Sequence, residues 1–136
     1  MAASLFPIIS TANLERSLGF YRDLLGGTVA YEFPGPDGAP VYAGIDIGLS
    51  HLGIGVDPNM AAPSPTVILW VYVEDCDATV SNMRSAGVTI REEPVDQPWG
   101  ERVALVEDPD GIHVRIATRA AMSPDVESGG AAPTSS

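Results

Sequence analysis

Ile8-Ile9-Ser10-Thr11-Ala12-Asn13-Leu14-Glu15-Arg16-Ser17-Leu18-Gly19-Phe20-Tyr21-Arg22-Asp23-Leu24-Leu25-Gly26 changes its apolar period within a few residues. The run from Leu5 to Ile9 has strand length and is broken by Pro7, which lacks an amide donor and therefore fits an edge strand better than a sheet centre. From Asn13 onward Leu14, Leu18, Tyr21 and Leu25 recur at helical spacing. Asn13 can accept a hydrogen bond from a first-turn amide, and Gly26-Gly27 supplies the stop. A strand feeding an amphipathic helix is the first unit of structure.

Strand-like segments follow at Thr28 to Phe33, Val41 to Ile47 and His51 to Val56, separated by Pro34-Gly35-Pro36-Asp37-Gly38 and Gly48-Leu49-Ser50. They predict an antiparallel meander. Asp57 to Pro65 holds three prolines and reads as a linker. Beyond it the order repeats: Thr66 to Val73 is β-rich, Asp75 or Asp77 can cap a helix carrying Val80 and Met83, and Gly87 ends it. Val88 to Glu92, Arg102 to Glu107 and Ile112 to Thr118 supply three more strands. Both halves spell β-α-β-β-β, an α+β class, with modules at about 5–57 and 66–118 inside one domain of residues 1–119. One such four-stranded sheet with a single helix leaves a face uncovered, so two of them are expected to curl around a shared cleft. The stretch 120–136, rich in Ser, Gly, Ala and Pro, is expected to be a disordered tail.

The 136-residue chain is 45% hydrophobic and 18% charged, enough apolar surface for one core. Seven Lys and Arg against eighteen Asp and Glu give a net charge of -11, which repels phosphate backbones and makes nucleic acid a poor partner. The same field favours cationic ligands on approach, although surface carboxylates more often serve solubility. Cys76 is the only cysteine, so no intramolecular disulfide forms. No basic leader or membrane-length apolar run is present, and a cytoplasmic location without membrane attachment is expected. Gly53-Ile54-Gly55 lacks the third glycine of a dinucleotide loop, and Asp108-Pro109-Asp110-Gly111 lacks the later ligands of a calcium loop and reads as a turn.

The segment Ile8 to Gly26, with Ser17, Phe20-Tyr21 and Leu25-Gly26, together with Asp108-Pro109-Asp110-Gly111 before a final strand, resembles the vicinal oxygen chelate superfamily of glyoxalase I, extradiol dioxygenases and bleomycin resistance proteins. The likeness runs from about Leu5 to Thr118. Leu69-Trp70-Val71-Tyr72-Val73 and Gln97-Pro98-Trp99-Gly100-Glu101-Arg102 look most like the bleomycin resistance branch. That resemblance implies a homodimer with the N-terminal strand exchanged between subunits, and a protein that binds its drug without altering it.

The resemblance also implies where metal-dependent relatives hold their ligands, and those positions fall on Phe6, Gly53, Ile68 and Arg115. Phe, Gly and Ile offer no donor side chain and Arg adds positive charge, so no metal and no cofactor are expected. A slip of two residues keeps the same strand face and brings His51 and His113 to it, where each is more often an ordinary strand residue than a ligand. An inward Arg115 needs an anionic partner, either a Glu from a neighbouring strand or a ligand.

The side chains expected to bind ligand are Phe6, Tyr42, His51, Trp70, Tyr72, Trp99, His113 and Arg115, with none catalytic. Flat rings stack on planar ligands and attract cations, at roughly 0.5–2 kcal/mol per ring. Both tryptophans also have an ordinary reading as core residues, weaker for Trp99 in its loop. The leading expectation is a metal-free protein that sequesters an aromatic or cationic natural product. The competing class is a lyase, isomerase or dioxygenase with a displaced metal site using His51, His113 or Glu101, and a third is a dimer scaffold.

Overall fold

The computed structural model describes residues 2, 4–63 and 67–119. The tail expected at 120–136 and the end of the linker lie outside the described residues. The chain divides after Pro63 into two compact units, with the turn Asp108–Gly111 counted in the first.

In the first unit β1 (Ile8–Thr11), β2 (Thr28–Pro34), β3 (Pro40–Ile47) and β4 (Ser50–Val56) form one sheet in the order β1-β4-β3-β2. The three later strands are an antiparallel meander, and β1 adds in parallel to β4 at the edge. The strand starts after Pro7, whose carbonyl still accepts the Gly53 amide at 2.9 Å. The helix α1 (Leu14–Leu18) is capped by Asn13, which accepts from the Arg16 amide at 3.0 Å.

The helical spacing predicts an ordinary helix through Leu25, but Gly19–Leu24 is a π-helical turn. The Leu25 amide reaches back to the Phe20 carbonyl at 3.1 Å, and the wider turn accommodates Phe20 and Tyr21, adjacent residues each only 1% exposed. Gly26, at φ 76°, then ends the helix in a conformation that side chains resist. Leu14, Leu18, Phe20 and Tyr21 bury Ala43, Ile45, Leu52 and Ile54 from one face of the sheet.

The second unit repeats this plan. Its strands β5 (Leu69–Tyr72), β6 (Thr89–Asp96), β7 (Arg102–Glu107) and β8 (His113–Thr118) take the order β5-β8-β7-β6, with β5 and β8 parallel. The protein is thus α+β, two four-stranded mixed sheets each built from β-α-β-β-β. Asp75, rather than Asp77, caps α2 (Cys76–Ser85) by accepting from the Ala78 amide at 3.0 Å, while Asp77 binds Arg102 of β7. Cys76, Val80 and Met83 pack against the sheet. β6 runs four residues beyond the expected Glu92, to Asp96.

Cys76 is 1% exposed, its Sγ donates to the Ile116 carbonyl at 3.3 Å, and burial pushes the thiol up to about 11. A protonated, covered thiol is a poor nucleophile. The folded protein is expected to resist alkylation by iodoacetamide at about pH 8 and to react only when unfolded, as mass spectrometry reads; rapid labelling of the native state would refute this placement.

Candidate functional site

Strand pairing decides which side chains lie on the face opposite each helix. In the first unit the row Tyr31, Gly44, Gly53, Ile8 crosses the sheet from β2 to β1, and Phe33, Tyr42, Gly55, Ser10 crosses beside it. In the second unit the matching rows are Glu92, Leu105, Arg115, Trp70 and Val95, Val103, Ala117, Tyr72. A third pair repeats at the hairpin end, with His51 opposite Asp46 and His113 opposite Glu107.

The first unit's face is a cluster of rings over glycine. Tyr31 stacks on Tyr42 with centroids 6.1 Å apart and on His51 at 5.7 Å, both at 22°. Phe33 tilts against both tyrosines at 5.6 and 5.9 Å, and Phe6 meets His51 edge-on at 4.8 Å. The glycines make room for this. A Cβ on Gly44 would come within 2.6 Å of the Tyr31 ring, and one on Gly53 would run into the Tyr42 hydroxyl. Desolvation first, and the neighbouring Tyr31 hydroxyl second, push the Tyr42 phenol above its ordinary pKa. The rings are open to solvent, with Phe6 42%, Tyr31 40% and Phe33 57% exposed.

Of the expected ligand-binding residues, Phe6, Tyr42 and His51 therefore share one face. Tyr31 and Phe33 join them without having been singled out in the sequence. Counting alternately from Val29, which faces the helix opposite Ile45, puts Tyr31 on the helix side; a β-bulge between Val29 and Tyr31 turns it over. The same irregularity between Ile90 and Glu92 brings Glu92 to the corresponding place in β6. Neither bulge is marked by a residue type.

In the second unit Trp70 and Tyr72 are neighbours on one face, centroids 6.2 Å apart. The loop residue Trp99 donates from Nε1 to Glu101 Oε1 at 2.8 Å, and Glu101 is only 7% exposed. Burial first, then a hydrogen bond to Glu101, raises the Tyr72 phenol. The Arg119 guanidinium lies 3.9 Å from the centroid of the Tyr72 ring, a cation already seated on an aromatic face. Arg115 finds the strand carboxylate its position calls for, Glu92 at 2.9 Å. His113 lies 3.9 Å from Glu107.

The side chains at the four positions where the resemblance places metal ligands do not fit a divalent cation. Phe6 is engaged with His51, the Tyr42 hydroxyl lies over Gly53, Ile68 is an exposed hydrocarbon and Arg115 is ion-paired. Among the described residues no group of three or more His, Cys, Asp and Glu side chains is placed to hold a metal ion. No helix among them is long and apolar enough to cross a membrane.

The duplicated β-α-β-β-β plan and its two landmark segments are matched by a family model over residues 5–116, and the chain belongs to the Glyoxalase/Bleomycin resistance protein/Dioxygenase superfamily. An uncharacterized protein of Mycobacterium bovis is 28% identical over 120 residues, 81% of this chain and 79% of that protein. Among solved structures, TioX from Micromonospora sp. ML1 is similar with a TM-score of 0.68 and 20% identity, covering 89% of this chain and 99% of its own. The Fosfomycin Resistance Protein FosX from Mesorhizobium loti is similar with a TM-score of 0.67 and 16% identity, over 89% of this chain and 96% of its own. At these identities the structural likeness speaks to the fold alone.

Proposed function

We propose that the protein is a metal-independent small-molecule binder that sequesters a planar aromatic or cationic natural product, in the manner of the bleomycin resistance branch, and acts as a homodimer. The observation that carries this reading is the solvent-open face of Phe6, Tyr31, Phe33, Tyr42 and His51 over Gly44 and Gly53. Such a surface offers ring faces and edges to a flat ligand at little entropic cost, since stiff aromatic side chains already hold one another. The -11 charge favours a cationic ligand, and the Arg119–Tyr72 contact illustrates the same chemistry in the second unit. Trp70, Tyr72, Trp99, His113 and Arg115 are the binding residues proposed there.

Thermal unfolding in the presence of bleomycin and of planar cationic antibiotics tests the reading. A ligand specific for the folded state at one hundred times its Kd stabilises by about 2.7 kcal/mol, and the midpoint must rise with concentration. No rise with any of them at micromolar levels, or stoichiometric metal in protein purified without chelators, would overturn it.

A further inference from the structure

The hydroxyl of Tyr31 has a direction fixed by the chain behind it. Asp46 Oδ1 lies 2.8 Å from His51 Nδ1, and His51 Nε2 lies 3.2 Å from Tyr31 Oη. A carboxylate only accepts, so Nδ1 carries the imidazole proton; in the neutral ring Nε2 then has only a lone pair, and Tyr31 must donate to it. The Tyr31 proton is committed to the protein, one lone pair of its oxygen faces the neighbouring Tyr42 hydroxyl, and the other is left for the open face. Protonated His51 carries N–H groups on both nitrogens. Nε2 then donates to Tyr31 Oη, and the phenol proton is released to point outward.

Resting on the reading of this face as a ligand surface, we propose that Tyr31 Oη is its polar anchor. With His51 neutral it accepts a hydrogen bond from an N–H or O–H group of the ligand, and with His51 protonated it donates to a carbonyl or carboxylate instead. The ligand class that fits the neutral imidazole is thus a planar ring system bearing a donor, such as an aromatic amine. Among the described residues of the first unit, the titratable groups that face His51 are Asp46 on β3 and Tyr31 on β2, with Tyr42 on β3 beyond Tyr31. Phe6, ahead of β1, presents only its ring, and the nearest positions of β4 on this face are Gly53 and Gly55.

Two fluorescent probes of like shape separate the donor and acceptor states: 9-aminoacridine, a donor and cation, and 9-anthracenecarboxylate, an acceptor and anion. Each is titrated at about pH 8 and about pH 5, the limits between which imidazoles ordinarily change charge. For the wild type, acidification is expected to weaken 9-aminoacridine and tighten 9-anthracenecarboxylate by about tenfold each, the size of one hydrogen bond. In His51→Gln both responses are expected to vanish. Tyr31→Phe keeps the imidazole charge and loses the anchor, so its responses are expected to shrink to about twofold, the remainder being charge alone. Wild-type responses retained in Tyr31→Phe would overturn the anchor while leaving the ring face as a binding surface. Failure of both probes to bind the wild type at either pH would overturn the ring-face reading and the anchor with it.

Discussion

Tyr21→Phe is expected to lower the unfolding free energy by about 2–3 kcal/mol, the upper range for a hydrogen bond to a charged acceptor. The phenol is 1% exposed and donates to Asp108 Oδ2 at 2.7 Å, and Asp108 is itself 3% exposed. Phenylalanine keeps the packing of the ring in the π-helical turn and removes one donor from a buried carboxylate. The Asp110 amide still reaches Asp108 Oδ1 at 2.8 Å, so the turn retains its own geometry. Urea denaturation at about pH 7 checks the loss, and an unchanged midpoint would show that the hydrogen bond contributes nothing net.

The same residue gives the stability an alkaline limit. Burial, followed by the charge of Asp108, raises the Tyr21 phenol well above its ordinary value of 10.0. In the unfolded chain it ionises from about pH 10, whereas in the folded protein it keeps its proton. Its contribution is fully present below that pH and is lost as pH rises through and beyond it. Tyr21→Phe is therefore expected to lose less stability between about pH 9 and pH 11 than the wild type. Cys76, raised from 9.0 to about 11, adds a loss over the same interval in both proteins and cancels in the comparison.

The sequence made the succession of elements legible because caps and stops are local chemistry. Asn13 and Asp75 hold first-turn amides, Gly26 and Gly87 take positive φ, and Pro7 lies just ahead of the edge strand it predicts. The composition of the ring face was only half legible. Tyr42 and His51 follow from alternation along β3 and β4, and Phe6 from the position the resemblance assigns it, but Tyr31 and Phe33 depend on a bulge whose position no side chain announces. The π-helical turn is hidden for a related reason: a single widened turn barely disturbs the spacing of Leu14, Leu18, Tyr21 and Leu25.

Register also shows how one scaffold carries two surfaces. At equivalent places the first unit has Tyr31, Gly44, Gly53 and Ile8, and the second has Glu92, Leu105, Arg115 and Trp70. Small residues in the first row let rings lie flat along the sheet. In the second row the ion pair of Arg115 and Glu92 fills that level, and the aromatic surface moves to Trp70 and Tyr72 on β5. The paired carboxylate and histidine survive in both units, at 2.8 Å for Asp46 and His51 and at 3.9 Å for Glu107 and His113.

Glu101→Ala is expected to cost about 2–3 kcal/mol and to free Trp99. The carboxylate is 7% exposed, takes the indole N–H of Trp99 at 2.8 Å and also holds the Tyr72 hydroxyl. Alanine leaves two donors without this acceptor, and a partly buried donor that loses its partner carries the full cost of its desolvation. Glu101→Gln keeps an acceptor oxygen and is expected to retain most of the stability, which separates hydrogen bonding from volume. In a Trp70→Phe background the emission reports Trp99 alone. Glu101→Ala is then expected to shift it to the red and to raise its acrylamide quenching, because the indole no longer has a fixed partner. Emission and quenching unchanged from the parent would mean that packing alone fixes Trp99 and that the carboxylate is incidental to the loop.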